Sequence, residues 1–219
     1  MILLAADTSG KLGSIALGRC GPSSDCEVLE VVPLSGGTFS AELVPQIMTL
    51  LQKHGLGKTD IDGFAVASGP GSFTGLRVGL AVVKALAEAL GKPIAAVSLL
   101  EAVAVEAKLS GRIFAALDAG RGDLYVGEYQ DGATISGSER LLTKDEFLVA
   151  ARGALVLTPD KPVATVAEAA GLRVREVERP RSDAIARIGW KKLQADEITS
   201  AEALDANYIR RTDAEILAK

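Results

Sequence analysis

At 219 residues, with 48% hydrophobic side chains and a net charge of −4, the chain is long enough for one large domain or two small ones. It lacks the basic excess of a protein that binds nucleic acid unaided, although net charge leaves a local basic patch open. Only 4% of residues are aromatic, so Ala, Val and Leu must fill the interior.

Ile2–Ala6 is a short, nearly continuous apolar run, the pattern of a strand buried on both faces. Asp7-Thr8-Ser9-Gly10 turns the chain, Ser14–Gly18 reads as a second strand and Glu27–Leu34 as a third. Three strands joined by turns predict an antiparallel meander. Cys20 and Cys26 flank Pro22-Ser23-Ser24-Asp25 near a hairpin turn. Two cysteines without a partner histidine do not complete a four-ligand zinc site. The run Met1–Ala6 lacks a basic leader and no stretch reaches the roughly 18 apolar residues of a membrane helix, so the chain reads as cytoplasmic, and a disulfide is not expected there. Leu43, Ile47, Leu50 and Leu51 fall on one helical face, widened by Val44 and Met48, with Ser40 as cap and Gly55 as stop. Pro45 removes a hydrogen bond inside that helix, so the regular helix starts near Val44 or bends there.

Phe64–Ala67 reads as a fourth strand, followed by Ser68–Gly79 (SGPGSFTGLRVG) and a helix-like run, Leu76–Leu90. Glycines in such a turn admit close backbone approach, and the first N–H groups of a helix have no internal partner. Two readings follow: an anion cradle formed with Gly69, Gly71 and Ser72, or a tight strand-to-helix connection whose glycines serve packing. The spacing is neither GxxxxGK[ST] nor a clean GxGxxG. Gly75 and Gly79 lie four apart and would let this helix pack closely on the first. Ile94–Val97 is a fifth strand and Leu99–Lys108 a helix, completing βββαβαβα. That order is the order of the ribonuclease-H-like fold of the actin, hexokinase and Hsp70 superfamily. Phe114–Asp118 echoes Leu3–Asp7, so the second half restarts the pattern: a strand at Leu124–Tyr129, a turn at Asp131-Gly132 towards Thr134-Ile135, a capping box at Thr143–Glu146, a strand at Leu155–Leu157, a helix at Val163–Ala170, a strand at Val174–Val177 and a final helix from Ser182 to about Gln194. The fold class is α/β, two-lobed, with lobes at 1–104 and 105–219, and a tail that could return to the first lobe.

The segment GPGSFTGLRVGLAVVKALAEALGKP resembles the signature of the TsaB (YeaZ) family. MILLAADTS, SAELVPQIMTLL and LDAGRGDLYVGEY are similar to the family's opening strand, first helix and second-half opening; beyond about residue 130 only NYIR is familiar. The resemblance implies a non-catalytic partner that binds and activates TsaD, alongside the ATPase TsaE, for threonylcarbamoyl transfer to adenosine 37 of ANN-reading tRNAs. It implies no cofactor required by this chain, ATP or ADP with Mg at the boundary with TsaD, and tRNA as substrate of the complex. Alternatives from the residues are an ATP-dependent kinase or acyltransferase of the same fold and, last, a metallopeptidase.

Asp7 and Asp118 each end an apolar strand, where this superfamily places carboxylates beside nucleotide phosphates. Asp118, followed by Gly120 and Gly122, reads as a turn residue; for Asp7 both readings stand, and Thr8, Ser9 and Gly10 resemble a degraded phosphate loop. The sequence holds one histidine, His54, so the histidine pair of TsaD-like proteins is excluded; a carboxylate-only Mg²⁺ site stays open. TsaB-like proteins often carry a histidine where Phe39 stands here. Ser68 and Ser72 do not fit GxSxG. Trp190 reads as core, and Arg173, Arg175, Arg179, Arg181 and Arg187, interspersed with acids, as a solvated face; Arg210-Arg211 is a weaker tRNA candidate. The two helices carry more apolar surface than one sheet covers. That excess predicts an interface through Leu43, Val44, Ile47, Met48, Leu51, Leu76, Leu80 and Val83, with TsaD or, in its absence, with a second copy.

Overall fold

The structure, a computed structural model, describes residues 1–21, 25–106, 111–130, 133–134, 139–207 and 209. The expected Tyr208, Lys108, Ile135 and Arg210-Arg211 features lie outside these residues. Contacts divide the chain into a unit built from Met1–Leu99 with Pro180–Ala206 and a second built on Leu100–Arg179. The division therefore differs from two continuous lobes, because 180–206 joins the first unit.

In the first unit, β1 (Ile2–Asp7), β2 (Leu12–Cys20) and β3 (Cys26–Ser35) form the predicted meander, followed by α1 (Phe39–Lys53), β4 (Gly63–Gly69), α2 (Phe73–Leu90) and β5 (Ile94–Ser98); α3 (Leu99–Glu106), which follows, belongs to the second unit from Leu100 on. The sheet order is β3-β2-β1-β4-β5, with β4 and β5 parallel to β1. The apolar run of β1 is continuous because both faces of the sheet are covered. Gly189 and Leu193 of α6 (Ser182–Gln194) lie on Ala65 and Gly63. Phe64 and Val66, one residue out of phase, are fully buried on the opposite face, where α2 packs on β4. Trp190, Ile185 and Ile188 of α6 are buried, as the sequence predicts for a core helix.

Two local expectations are corrected. Helix α1 starts at Phe39, not Val44, and Thr38 rather than Ser40 occupies its cap position, without a side-chain cap bond. Pro45 is tolerated inside it because Pro45 and Ala41, whose carbonyl loses its partner, both face solvent. Cys20 and Cys26 are disulfide-bonded rather than free; they stand directly opposite each other at the end of the β2–β3 ladder, with Cα atoms 4.2 Å apart.

The second unit repeats the topology. It comprises β6 (Arg112–Gly120), β7 (Asp123–Gln130), β8 (Ala133–Thr134), β9 (Arg140–Thr143), α4 (Lys144–Ala150), β10 (Leu155–Thr158), α5 (Lys161–Ala169) and β11 (Arg173–Glu176). The order is β11-β10-β6-β7-β8, with β9 also on β7, so the third strand of the meander is split into two short pieces. Phe114, Val126, Phe147 and Val156 lie in its core. The Thr143–Glu146 capping box forms: Thr143 Oγ1 accepts from the Glu146 N–H at 3.4 Å and Glu146 Oε2 accepts from the Thr143 N–H at 2.9 Å.

Candidate functional site

The structure brings the two predicted phosphate-binding segments together. Asp7, Thr8 and Ser9 leave β1 buried. Asp7 Oδ1 accepts from the Ser9 N–H (2.9 Å) and hydroxyl (2.6 Å). Thr8 Oγ1 donates to the Gly75 carbonyl at 2.7 Å, and the Ser72 N–H donates to the Ser9 carbonyl at 2.7 Å. Ser72 caps α2, its hydroxyl accepting from the Gly75 N–H at 3.3 Å. The glycines face the same loop: a methyl group on Gly71 would come within 2.5 Å of the Ser9 carbonyl, and one on Gly75 or Gly79 would collide with Thr8. Gly75 and Gly79 therefore serve close approach of α2 to the β1–β2 loop, not to α1 as the sequence suggests. Gly69, at φ 118°, makes the bend into a cis peptide with Pro70.

The N–H groups of Ser9, Ser72 and Gly75, which an anion cradle would present to phosphate, are thus engaged by protein oxygens. Of the two readings of the glycine turn, this geometry supports packing. Beside it lies a cleft of about 430 Å³ lined by Gly10, Lys11, Gly36, Phe39, Ser72 and Val78, among others. Phe39 forms part of its wall and brings no ligating atom.

The eight interface candidates separate by burial. Leu43, Ile47, Leu51, Leu76, Leu80 and Val83 are buried within the first unit, so these six are core residues rather than free surface. Val44 and Met48 are 44% and 38% exposed on α1, and Phe73, also 38% exposed, opens α2 with the Arg77 guanidinium 3.7 Å over its ring. Phe73 is an apolar surface residue that the sequence periodicity does not mark, because it precedes the apolar repeat. Ala81 and Ala85 continue the exposed row along α2.

The remaining candidates resolve into structural roles. Asp118 Oδ1 accepts from the Gly120 N–H at 2.8 Å, as a turn residue does, while Asp160 Oδ2 accepts from the Asp118 N–H at 2.9 Å. His54 follows α1 and meets Glu30 Oε2 at 2.9 Å; Lys53 donates to Glu30 Oε1 at 2.6 Å. The Lys53 and then the His54 hydrogen bonds hold the Glu30 carboxyl below the ordinary glutamate range. Ser68 donates to the Val97 carbonyl at 3.2 Å. Arg179 pairs with Asp160, and Arg187 and Arg181 with Asp183, which accounts for much of the basic cluster. Among the described residues no three His, Cys, Asp or Glu side chains group as metal ligands, and no helix is long and apolar enough to cross a membrane.

A meander continued by parallel strands, repeated in two units, with an aspartate at or near the end of the first strand of each (Asp7 and Asp118), defines a ribonuclease-H-like α/β protein of the actin and Hsp70 type. Residues 32–215 match the family described as TsaD, tRNA N6-adenosine threonylcarbamoyltransferase. The chain is 29% identical to the tRNA threonylcarbamoyladenosine biosynthesis protein TsaB of Bacillus subtilis, over 98% of this chain and 96% of that protein. It is 35% identical to the Escherichia coli protein of the same name, over 59% of this chain and 55% of that one. YeaZ from Pseudomonas aeruginosa is a similar solved structure, with a TM-score of 0.74 and 27% identity over 94% of this chain and 100% of that one. The chain belongs to this family, in its TsaB/YeaZ branch.

Proposed function

We propose that this chain acts in tRNA threonylcarbamoyladenosine biosynthesis as a non-catalytic subunit that binds and activates TsaD for transfer to adenosine 37 of ANN-reading tRNAs. The names of the relatives support the pathway. The observation that carries the subunit role is the exposed apolar row of Val44 and Met48 on α1 with Phe73 on α2, beside a strand-end loop whose amides are already engaged. In this reading TsaD packs its corresponding helices on that row, TsaE joins through the complex, and tRNA is the substrate of the whole. ATP or ADP with Mg²⁺ binds at the boundary with TsaD, and the assembly is cytoplasmic. Without TsaD the same row pairs with a second copy, since a two-fold contact is self-complementary.

Met48→Glu tests it. The side chain is exposed in the free chain, so the variant is expected to fold, with an unchanged circular dichroism spectrum, and to lose co-purification with TsaD and self-association in sedimentation. A folded variant that retains both places the contact elsewhere. The cleft beside Lys11 favours a second reading, an ATP-dependent kinase or acyltransferase. Calorimetry on the isolated chain separates the two: weak or no ATP binding is expected, and micromolar binding with hydrolysis would favour the enzyme.

A further inference from the structure

The bonded cysteines sit at a mechanically distinctive place. Strand β3 is an edge strand, with β2 as its sole sheet neighbour among the described residues. Their ladder shifts register between Leu17 and Gly18: Leu17 pairs Glu30, Gly18 pairs Val28, and Leu29 is left as the extra residue of a bulge. Beyond the bulge three pairs hold the tip, the last being Cys20 with Cys26. Gly18 makes room for the sulfurs, because a methyl group there would come within 2.5 Å of Cys26 Sγ. Cys20 also exchanges both backbone hydrogen bonds with Met1, at 2.9 and 2.8 Å, which fixes its side of the pair to the start of β1. Immediately on the other side of the bulge, Glu30 accepts from Lys53 and meets His54 at the end of α1. The disulfide therefore clamps the end of a three-pair tip that lies across the bulge from the carboxylate that anchors α1.

We propose that Cys20–Cys26 is a thiol–disulfide switch on this edge hairpin, which sets how firmly the first half of β3, and through Glu30 the end of α1, is held. A thiolate of a small-molecule dithiol attacks one sulfur and forms a mixed disulfide; its second thiol displaces the remaining cysteine. The protein gains two thiols and the dithiol becomes a disulfide, so atoms and electrons balance. Cys20 and Cys26 are buried, 2% and 4% exposed as residues, so attack follows opening of the tip, and exchange is slow in the folded chain. A disulfide in a reducing compartment is characteristically regulatory rather than permanent.

The test uses the full chain purified without reductant. Alkylation in denaturant, read by mass, is expected to label no cysteine before dithiothreitol and two after it. Hydrogen exchange of reduced against oxidised protein is expected to accelerate roughly tenfold or more at Glu27–Val32 and Leu51–His54, as loss of a small closed ring predicts, and to stay unchanged at Ile113–Leu117. The Cys20→Ser, Cys26→Ser double variant should exchange like the reduced protein and ignore dithiothreitol. If that variant does not fold, reduced and oxidised wild type carry the comparison. Two thiols titrating in the unreduced chain, or identical exchange in the two states, overturns the proposal.

Discussion

Gly79 carries a hydrogen because Thr8 occupies the place where a side chain would begin. Gly79→Ala forces either the Thr8 side chain or α2 to move, and overpacking of this kind costs about 1–3 kcal/mol. Urea unfolding should show that loss. At Gly57 the nearest atom to an added methyl group is 3.7 Å away, so Gly57→Ala should stay within about 0.5 kcal/mol of wild type. Glu30 makes a different prediction. Its folded carboxyl is held below the unfolded value by Lys53 and His54, so it takes up a proton less readily when folded. Its stabilising effect is present above the unfolded pKa of about 4.3 and is lost as pH falls through the lower folded value. Glu30→Gln should therefore flatten the acid limb of a stability profile, with its largest difference from wild type at neutral pH. An acid limb of unchanged steepness would remove Glu30 as its source.

Within α1, residues that share one apolar pattern divide into two fates. Leu51 is fully buried and Met48 is exposed, so Leu51→Ala should cost about 2–5 kcal/mol, while Met48→Ala should cost little and weaken association. Thermal melting and pull-down, measured together, check the pair. Periodicity found this helix but neither its start at Phe39 nor the difference between its two faces, because Val44 and Met48 are as apolar as the residues beneath them. The same limit applies to Pro45: the rule against interior proline is local, and it fails here because the orphaned Ala41 carbonyl is on the wet side. The glycine turn was found by composition, whereas its purpose depends on Thr8, some 70 positions earlier in the chain, and only the folded geometry shows their contact. The disulfide was missed for a comparable reason: compartment argued against it, while strand register put the two sulfurs together.

For the whole molecule, the order of elements along the chain and their duplication were legible because buried strands, caps and turns leave local marks at Ile2–Ala6, Phe64–Ala67, Thr143–Glu146 and Ser182. The assignment of α6 to the first sheet leaves no such mark, since an amphipathic helix does not name the surface it covers. That assignment predicts that residues 1–104 expressed alone will not form a stable unit: Leu3, Ala65 and Ala95 would lose the cover of α6, and the β5 edge would lose the Thr199 N–H that donates to the Ile94 carbonyl at 2.8 Å. A fragment with a sharp, cooperative melt and native-like exchange protection in β1 and β4 would contradict this.

The return of 180–206 also orders events during synthesis. When Leu99 leaves the ribosome, five strands and two helices of the first unit exist, but one face of the sheet has nothing to lie against until Leu100–Arg179 has been translated. At about 5–20 residues per second that interval lasts several seconds. The first-made half of the protein is thus the later to be completed, and the nascent chain carries an uncovered sheet face through the making of the whole second unit.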